Sequence, residues 1–341
     1  MKKIYSTILV TLALIIILAS CTKKNTNSFT FAFYNVENLF DTIDDLNISD
    51  EGYLPNSKVA WNTERYNLKL NNMSKVMKSI DPAGFPALFG ICEVENISVV
   101  EDLINHPNLA GAGYKAIHKD SPDERGIDVA LLYNPEIFKP VGTRFIVPEF
   151  PDNPELKTRD ILYFKGVVNK NDTLHVFINH WVSRWGGQKE TEPHRIQIAK
   201  VIKNITDSIL NNELNANIII AGDLNDNPSD TSIYKVLEAL EISDIPGGKS
   251  LYNLSLKQFK NGFGSLYYKS WDMFDQIIVS TSLITGKNGL KVSSTEQVVF
   301  KEDWMLYQPK GGPVRPSRTA SGSNYYGGYS DHLPIMVSII N

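Results

Sequence analysis

Cysteine is almost missing from this chain: Cys21 and Cys92 are the only two in 341 residues. Cys92 closes the apolar run Ala87-Leu88-Phe89-Gly90-Ile91, where it reads as a buried small hydrophobe rather than a nucleophile. Positive charge is also short. Thirty-four Lys and Arg face 38 Asp and Glu, a formal net charge of −4, so no bulk field exists to hold a polyanion non-specifically. A metal ion and a local basic patch would have to draw in any phosphate. Between residues 29 and 341 there is no Pro- or Ser-rich linker, internal repeat or low-complexity tract. That favours one large domain.

The first 21 residues stand apart. Met1-Lys2-Lys3 is a charged start, and Ile8 to Leu18 is an apolar run too short for a comfortable membrane span. It ends in Leu18-Ala19-Ser20-Cys21, which resembles a bacterial lipoprotein signal whose lipidated Cys21 becomes the mature N-terminus. An ordinary signal peptide or signal anchor with a chance Cys is the alternative. The expectation is therefore a leader over 1–21, a polar tether over 22–28 and a domain over 29–341. The product would be exported and held by its lipid on a membrane, at the periplasmic face or cell surface. Losing residues 1–20 removes Lys2 and Lys3 and no acid, which moves −4 to −6. Only Cys92 then remains, which excludes an internal disulfide.

Hydrophobic runs predict strands at Phe29 to Tyr34, Ala87 to Cys92, Tyr114 to His118, Ile127 to Tyr133, Ile161 to Val168 and Leu174 to Asn179. Further strands are predicted at Asn217 to Ala221, near Phe274 to Ser280, Val298 to Phe300 and Pro334 to Ile340. A helix should open at Thr63 and run to about Ile80, with Tyr66, Leu70, Met73, Met77 and Ile80 on one face. Val99 to Ile104 reads as a short helix, Ile196 to Leu210 as a long amphipathic one, and Ser232 to Leu240 as another. Hairpin strands mixed with crossover helices suggest two mixed sheets packed together with helices outside. Glu302 to Tyr329, rich in Gly, Pro, Ser and Tyr, reads as a long functional loop.

Chemical groups gather where the apolar runs end. Tyr34-Asn35-Val36-Glu37-Asn38, Cys92-Glu93-Val94-Glu95-Asn96, Asn179-His180-Trp181, Gly222-Asp223-Leu224-Asn225-Asp226 and Ser330-Asp331-His332 each follow or abut a strand. Asp223 and Asn225, two apart, would point to one side if strand geometry persisted; an Asx turn before Pro228 is the plain alternative. Glu93 follows a buried strand and needs a partner, either a basic side chain or a metal. Glu95, beyond the run, reads as solvent-facing. Asp331-His332 suits an oriented base or a metal ligand, or simply caps the last strand. His106, His118, His175 and His194 lack such a setting and read as surface or packing residues. Carboxylates, amides and imidazoles at one sheet rim suit a hard divalent cation and a phosphate ester.

In this order the clusters resemble the endonuclease/exonuclease/phosphatase superfamily, which includes pancreatic-type deoxyribonuclease, bacterial sphingomyelinases and inositol polyphosphate phosphatases. The likeness spans roughly Phe29 to Ile340. It implies an α/β fold, a four-layer α/β/β/α sandwich of two mixed β-sheets flanked by helices, with the site at one edge of the sheets. It also implies roles. Glu93 matches the principal metal ligand, although the usual Gln-Glu pair here reads Cys92-Glu93; Asn35, Asp331 and Glu37 match positions beside the metal. Asp223 and Asn225 match the pair that binds the transition state and orients the nucleophile. Asp275 matches the Asp that holds His332, the general base or phosphate-stabilising acid, and His180 matches a second catalytic His. Arg159 falls, by a looser match, where many members contact phosphate.

The segments Val176 to Gly187 and Tyr267 to Ile277 look most like secreted bacterial nucleases, which makes Arg184 and Trp271 candidates for substrate binding. Arg315 and Arg318 are candidates too, in the loop that also carries Lys310, Tyr307, Tyr325, Tyr326 and Tyr329. The sequence reads as a monomeric Mg²⁺-dependent phosphoesterase, with Mn²⁺ or Ca²⁺ as other cations. Nuclease action on DNA or RNA ranks first. Hydrolysis of phospholipid head groups or of inositol or sugar phosphates ranks second, and a non-catalytic surface lipoprotein last.

Overall fold

The computed structural model describes residues 28–81, 84–168, 172–242 and 247–341. The expected leader, Cys21 and the tether as far as residue 27 lie outside the described residues. From the N-terminal side the chain forms β1 (Ser28–Leu39), α1 (Thr63–Ser79), β2 (Leu88–Val94), α2 (Ile97–Ile104), β3 (Lys115–His118) and β4 (Asp128–Tyr133). Next come β5 (Phe138–Ile146), β6 (Ile161–Val168), β7 (Asp172–His180), α3 (Gln188–Asn212), β8 (Asn217–Asp223), β9 (Ala239–Leu240) and β10 (Leu251–Asn253). A hairpin of β11 (Leu266–Tyr268) and β12 (Ser270–Asp272) leads to β13 (Asp275–Ser280), then β14 (Lys291–Val292) and β15 (Val298–Val299). Two small hairpins, β16 (Leu306–Tyr307) with β17 (Arg315–Pro316) and β18 (Ala320–Ser321) with β19 (Asn324–Tyr325), precede β20 (Ile335–Ile340).

Two seven-stranded sheets result. One runs β14-β20-β1-β2-β4-β3 with β15 also on β20; the other runs β5-β6-β7-β8-β13-β10-β9. Three apolar layers hold them. Phe29, Phe31 and Phe33 of β1 meet Leu174, Val176 and Ile178 of β7 between the sheets. Ala32 and Tyr34 face Leu70, Met73 and Met77 of α1 on one outside, and Ile218 and Ile220 of β8 face Ile198 and Ile202 of α3 on the other. The architecture is the four-layer α/β/β/α sandwich the sequence implied. Gly90 lets the sheets close: a Cβ there would stand 2.6 Å from Ile178 Cδ1.

Strand alternation aims the chemistry. On β1 the inward set Phe29, Phe31 and Phe33 continues to Asn35; on β7 Leu174, Val176 and Ile178 continue to His180; on β8 Ile219 and Ala221 continue to Asp223. β1 and β2 are parallel, as are β7 and β8, so these positions emerge at strand ends. β13 is antiparallel to β8, with Asp275 opposite Asp223, and β20 is antiparallel to β1, with Ile335 opposite Phe33. Asp275 and the residues before β20 therefore start where the others finish. All five positions share one rim.

Some expected elements differ. β5 was not anticipated, because Lys139 to Arg144 is solvent-exposed and contains Pro140 and Gly142, features that an edge strand tolerates. Ser232 to Leu240 is not a continuous helix; a single π turn over Ser232–Val236 gives way to β9. The stretch from Glu302 to Tyr329 is more structured than a plain loop and holds the two small hairpins.

Candidate active site at the rim between the sheets

Asn35 stands at the centre. Its Nδ2 donates to Glu93 Oε1 at 3.2 Å and to Asp223 Oδ2 at 3.0 Å, while its Oδ1 accepts the Glu37 backbone N–H at 2.9 Å. Simple alternation would send Glu93 to the helix side, one residue after inward Cys92. Its backbone instead takes φ 63° at a break in the β2–β4 register, which brings the carboxylate to the rim. Glu93 Oε2 accepts the Asn38 N–H at 2.9 Å. His180 Nε2 lies 3.7 Å from both Glu93 Oε1 and Asp223 Oδ2.

His332 closes the ring. Its Nδ1 donates to Asp275 Oδ2 at 2.7 Å, and its Nε2 lies 3.7 Å from Asp223 Oδ2. Ser265 Oγ donates to the same Asp275 oxygen at 2.6 Å, and Ser330 Oγ accepts the His332 N–H at 3.1 Å while donating to Asn35 O at 2.8 Å. Asp223 Oδ1 accepts the Asn225 N–H at 3.0 Å. β8 has ended by then and Asn225 sits at φ 49°, so Asp223 and Asn225 form an Asx-type turn; the Asn225 amide donates to Trp181 O at 3.0 Å.

Burial and neighbouring charge divide the titratable groups. Burial pushes Asp223 up to about 7, with the Asp275 charge adding and His332 opposing. Burial also lifts Glu37 to about 7, helped by Asp331 and resisted by Lys69 and Arg318. For His332 burial works against the charged form, yet Asp275, Asp223 and Asp331 outweigh it and hold the imidazole well above its usual range. His180 is driven the other way, by burial first and then by Arg159 and Arg125. One imidazole is kept charged and the other neutral.

Several candidates are placed otherwise than the sequence suggested. Glu95 is not solvent-facing: it is 5% exposed, accepts the Asp41 N–H at 2.7 Å, and burial raises it to about 7. Glu37 does not open toward a metal, because its Oε2 accepts the Thr319 N–H and its Oε1 accepts from Arg318 Nε and the Ala320 N–H. Arg318 is no free phosphate fork, since its Nη2 also pairs with Asp331 at 3.1 Å. Arg159 is buried and turned inward, with Nε donating to His180 O, Nη2 to Trp181 O and Nη1 to Asp123. Arg184 is tied to Asn225 O, Asp226 and Asp230. Arg315 lies in β17 over the Tyr307 ring, and Trp271 packs edge-on against Tyr267. None of these four arginines presents an unengaged guanidinium to the central cluster.

Three residues outside the motifs build the rim. Lys69, fully buried on α1, donates to Thr319 Oγ1 at 2.6 Å and Tyr329 O at 2.7 Å; burial pulls it down to about 8 against the pull of Glu37, Asp331 and Glu93. Arg195, buried in α3, meets Asp226 at 2.8 Å and donates to Val182 O, which locks the ends of β7 and β8 together. Ser265 anchors Asp275. A buried Lys or Arg on an amphipathic helix was the available signal for the first two. His118 also departs from its plain reading. It lies between Asp120 and Asp128, with ring nitrogens 3.8 and 3.5 Å from their carboxylates.

The donor set fits a hard divalent cation. Glu37, Glu93, Asp223, Asp275 and Asp331 crowd one rim, and two of them are pushed up to about 7. Asp223, Asp275 and His332 offer donor atoms within 4.8 Å of one another, but the short His332–Asp275 bond commits that pair to each other. Glu93, with the Asn35 amide beside it, is the carboxylate best placed to hold a cation, and Asp331 could join it by giving up its pairing with Arg318.

Acids, amides and two imidazoles where two packed sheets open to solvent define the class of a phosphoester hydrolase. Residues 30–341 match the model of the Endonuclease/Exonuclease/phosphatase family, and the chain belongs to that family, whose enzymes are divalent-metal-dependent phosphoester hydrolases. No curated protein matches the chain. Among solved structures it is similar to an endonuclease/exonuclease/phosphatase family protein from Bacteroides thetaiotaomicron, with 15% identity, TM-score 0.55, and 93% of this chain and 99% of that one covered. It is also similar to a mannosyl-6-phosphatase from the same organism (14%, 0.54, 92% and 100%) and to ANGEL2, a 2′,3′-cyclic phosphatase (14%, 0.56, 93% and 96%). These likenesses show the fold.

Proposed function

We propose that this protein is a nuclease that cleaves phosphodiester bonds of DNA or RNA with Mg²⁺, exported and tethered to a membrane through lipidated Cys21. The hydrolytic reading is carried by the 2.7 Å His332–Asp275 bond, which leaves Nε2 facing Asp223 across from Asn35 and Glu93. With Nδ1–H committed to Asp275, Nε2 is the ring atom that meets substrate. A charged His332 stabilises negative charge building on the phosphoryl group. Asp223, oriented by Asn35 Nδ2 and the Asn225 N–H, is then placed to accept the proton of an attacking water. Of the two roles that the resemblance leaves open for His332, general base or phosphate-stabilising acid, this takes the second. Neutral His180 brings a second imidazole Nε2 to 3.7 Å from the same Asp223 oxygen. A divalent cation at Glu93 and Asp331 would offset phosphate charge and polarise a phosphoryl oxygen.

Preference for a nucleic-acid diester is supported by the likeness of residues 176–187 and 267–277 to secreted nucleases. The test is a panel of labelled single-stranded DNA, RNA, sphingomyelin, inositol phosphates and a sugar 6-phosphate, each with Mg²⁺ and with EDTA. Acid-soluble oligonucleotide fragments formed only with Mg²⁺ support the proposal. Turnover confined to sugar phosphates or lipid head groups overturns it in favour of a phosphatase or phospholipid hydrolase. For the tether, Cys21→Ser should move the protein from the membrane to the soluble fraction; unchanged membrane retention would refute lipidation at that position.

A further inference from the structure

Beside the rim lies a cavity of about 490 Å³, lined by Arg125, Lys157, Arg159, Val182, Ser183 and Trp185 among others. It shares a wall with the site. Arg159 holds the carbonyls of His180 and Trp181, and Arg125 Nη2 donates to Asn38 Oδ1 at 3.0 Å, where Asn38 in turn donates to Glu93. Arg159 is neutralised by Asp123 at 3.0 Å. Arg125 and Lys157 are both exposed, and among the described residues neither has a carboxylate partner. Two unpaired cations in one hollow are notable in a chain of net charge −4.

Trp185 forms the outer lip and is 91% exposed. Its exposure is built into the turn. Arg184 is drawn inward by Asn225, Asp226 and Asp230, while Trp185 N donates to Ser183 Oγ at 3.0 Å. Gly186 and Gly187 follow at φ 91° and 124°, a conformation that favours glycine, and a Cβ at Gly187 would collide with the Glu190 carboxylate. An indole displayed this way leaves a large apolar face in water for a ligand to cover.

We infer that this cavity binds the nucleotide next to the scissile phosphodiester, with Arg125 and Lys157 on its phosphate and an unpaired base stacked on Trp185. The inference rests on the nuclease reading and narrows it to single-stranded substrate. Guanidinium and ammonium groups suit phosphate oxygens, and an indole face accepts any base without reading its sequence.

The test compares wild type, Trp185→Ala, Trp185→Phe and Lys157→Ala on a single-stranded hexanucleotide, the same strand with abasic residues, and bis(p-nitrophenyl) phosphate. Trp185→Ala should raise KM for the hexanucleotide about tenfold, as loss of one stacked base implies, and Phe should restore most of it. On the abasic strand wild type and Trp185→Ala should be equal, and kcat on the small diester should hold. Lys157→Ala should flatten the dependence of log(kcat/KM) on log salt by about 0.7, one phosphate contact on a single strand. If the hexanucleotide is cut but Trp185→Ala leaves its KM unchanged, or shifts the abasic strand equally, the subsite is refuted and the nuclease reading stands. If wild type cuts no oligonucleotide yet hydrolyses small esters, the nuclease reading itself fails.

Discussion

His332 is fixed from three directions: Asp275 at Nδ1, Ser330 at its backbone N–H, and Asp223 facing Nε2. Replacing it by Ala should lower kcat at least ~10²-fold, since a preorganised acid–base group is removed outright. Near wild-type turnover in that variant would move the role to His180. Glu95 permits a pH prediction. Burial, with the charges of Asp41, Asp50 and Asp45, raises it to about 7 against the Asp41 N–H bond. A carboxyl raised in the folded state favours folding below its unfolded value, and that contribution is lost as pH rises through the folded value. In EDTA, Glu95→Gln should therefore be more stable relative to wild type at pH 8 than at pH 5, read from urea midpoints; equal differences at both would show that Glu95 is not held protonated. Asn35, Glu93, Asp223, Asp275 and His332 each abut an apolar run, but that position alone leaves structural readings open, and it is the resemblance of the ordered set to a known superfamily that assigns them to one site. Lys69 offered only its place on the apolar face of α1, because its partners Thr319 and Tyr329 lie some 250 residues away. The same blindness made Arg159 and Arg318 look like free phosphate ligands.

The elements that carry the site were legible because β1, β7 and β8, buried on both faces, are near-continuous apolar runs that need only local sequence to be seen. What escaped was irregular: the left-handed turn at Glu93, the π turn at Ser232–Val236, and the exposed edge strand β5. The stretch before β20 shows how an apparent loop is held. Glu37 grips Thr319, Ala320 and Arg318, while Asn72 of α1 donates to Gly327 O and Gly328 O. Glu37→Ala should loosen this clamp and speed trypsin cleavage after Lys310 and Arg318 about tenfold, comparable to losing one charge-assisted bond of ~1.5 kcal/mol. A digestion rate equal to wild type would show that the other contacts suffice.

Across the whole molecule the rim acids repel one another until a cation arrives. Adding Mg²⁺ to EDTA-treated protein should raise the thermal midpoint, because the ion binds only the folded form. Glu93→Gln should abolish most of that rise while leaving the EDTA midpoint at or above wild type. A midpoint several degrees lower in EDTA would instead make Glu93 a structural ion-pair partner. The pairing of β1 with β20 has a consequence for biogenesis. Asn35 and His332 are nearly 300 residues apart in the sequence, yet Asn35 lies on β1 and His332 just before β20, the strand that pairs with β1. A nascent chain can therefore complete neither the first sheet nor the reactive centre until the segment that carries His332 and β20 has emerged, so the centre is withheld while the sheet is still open. Ending the chain at Ser330 should yield a protease-sensitive, inactive product, because the strand that closes the sheet beside β1 is gone.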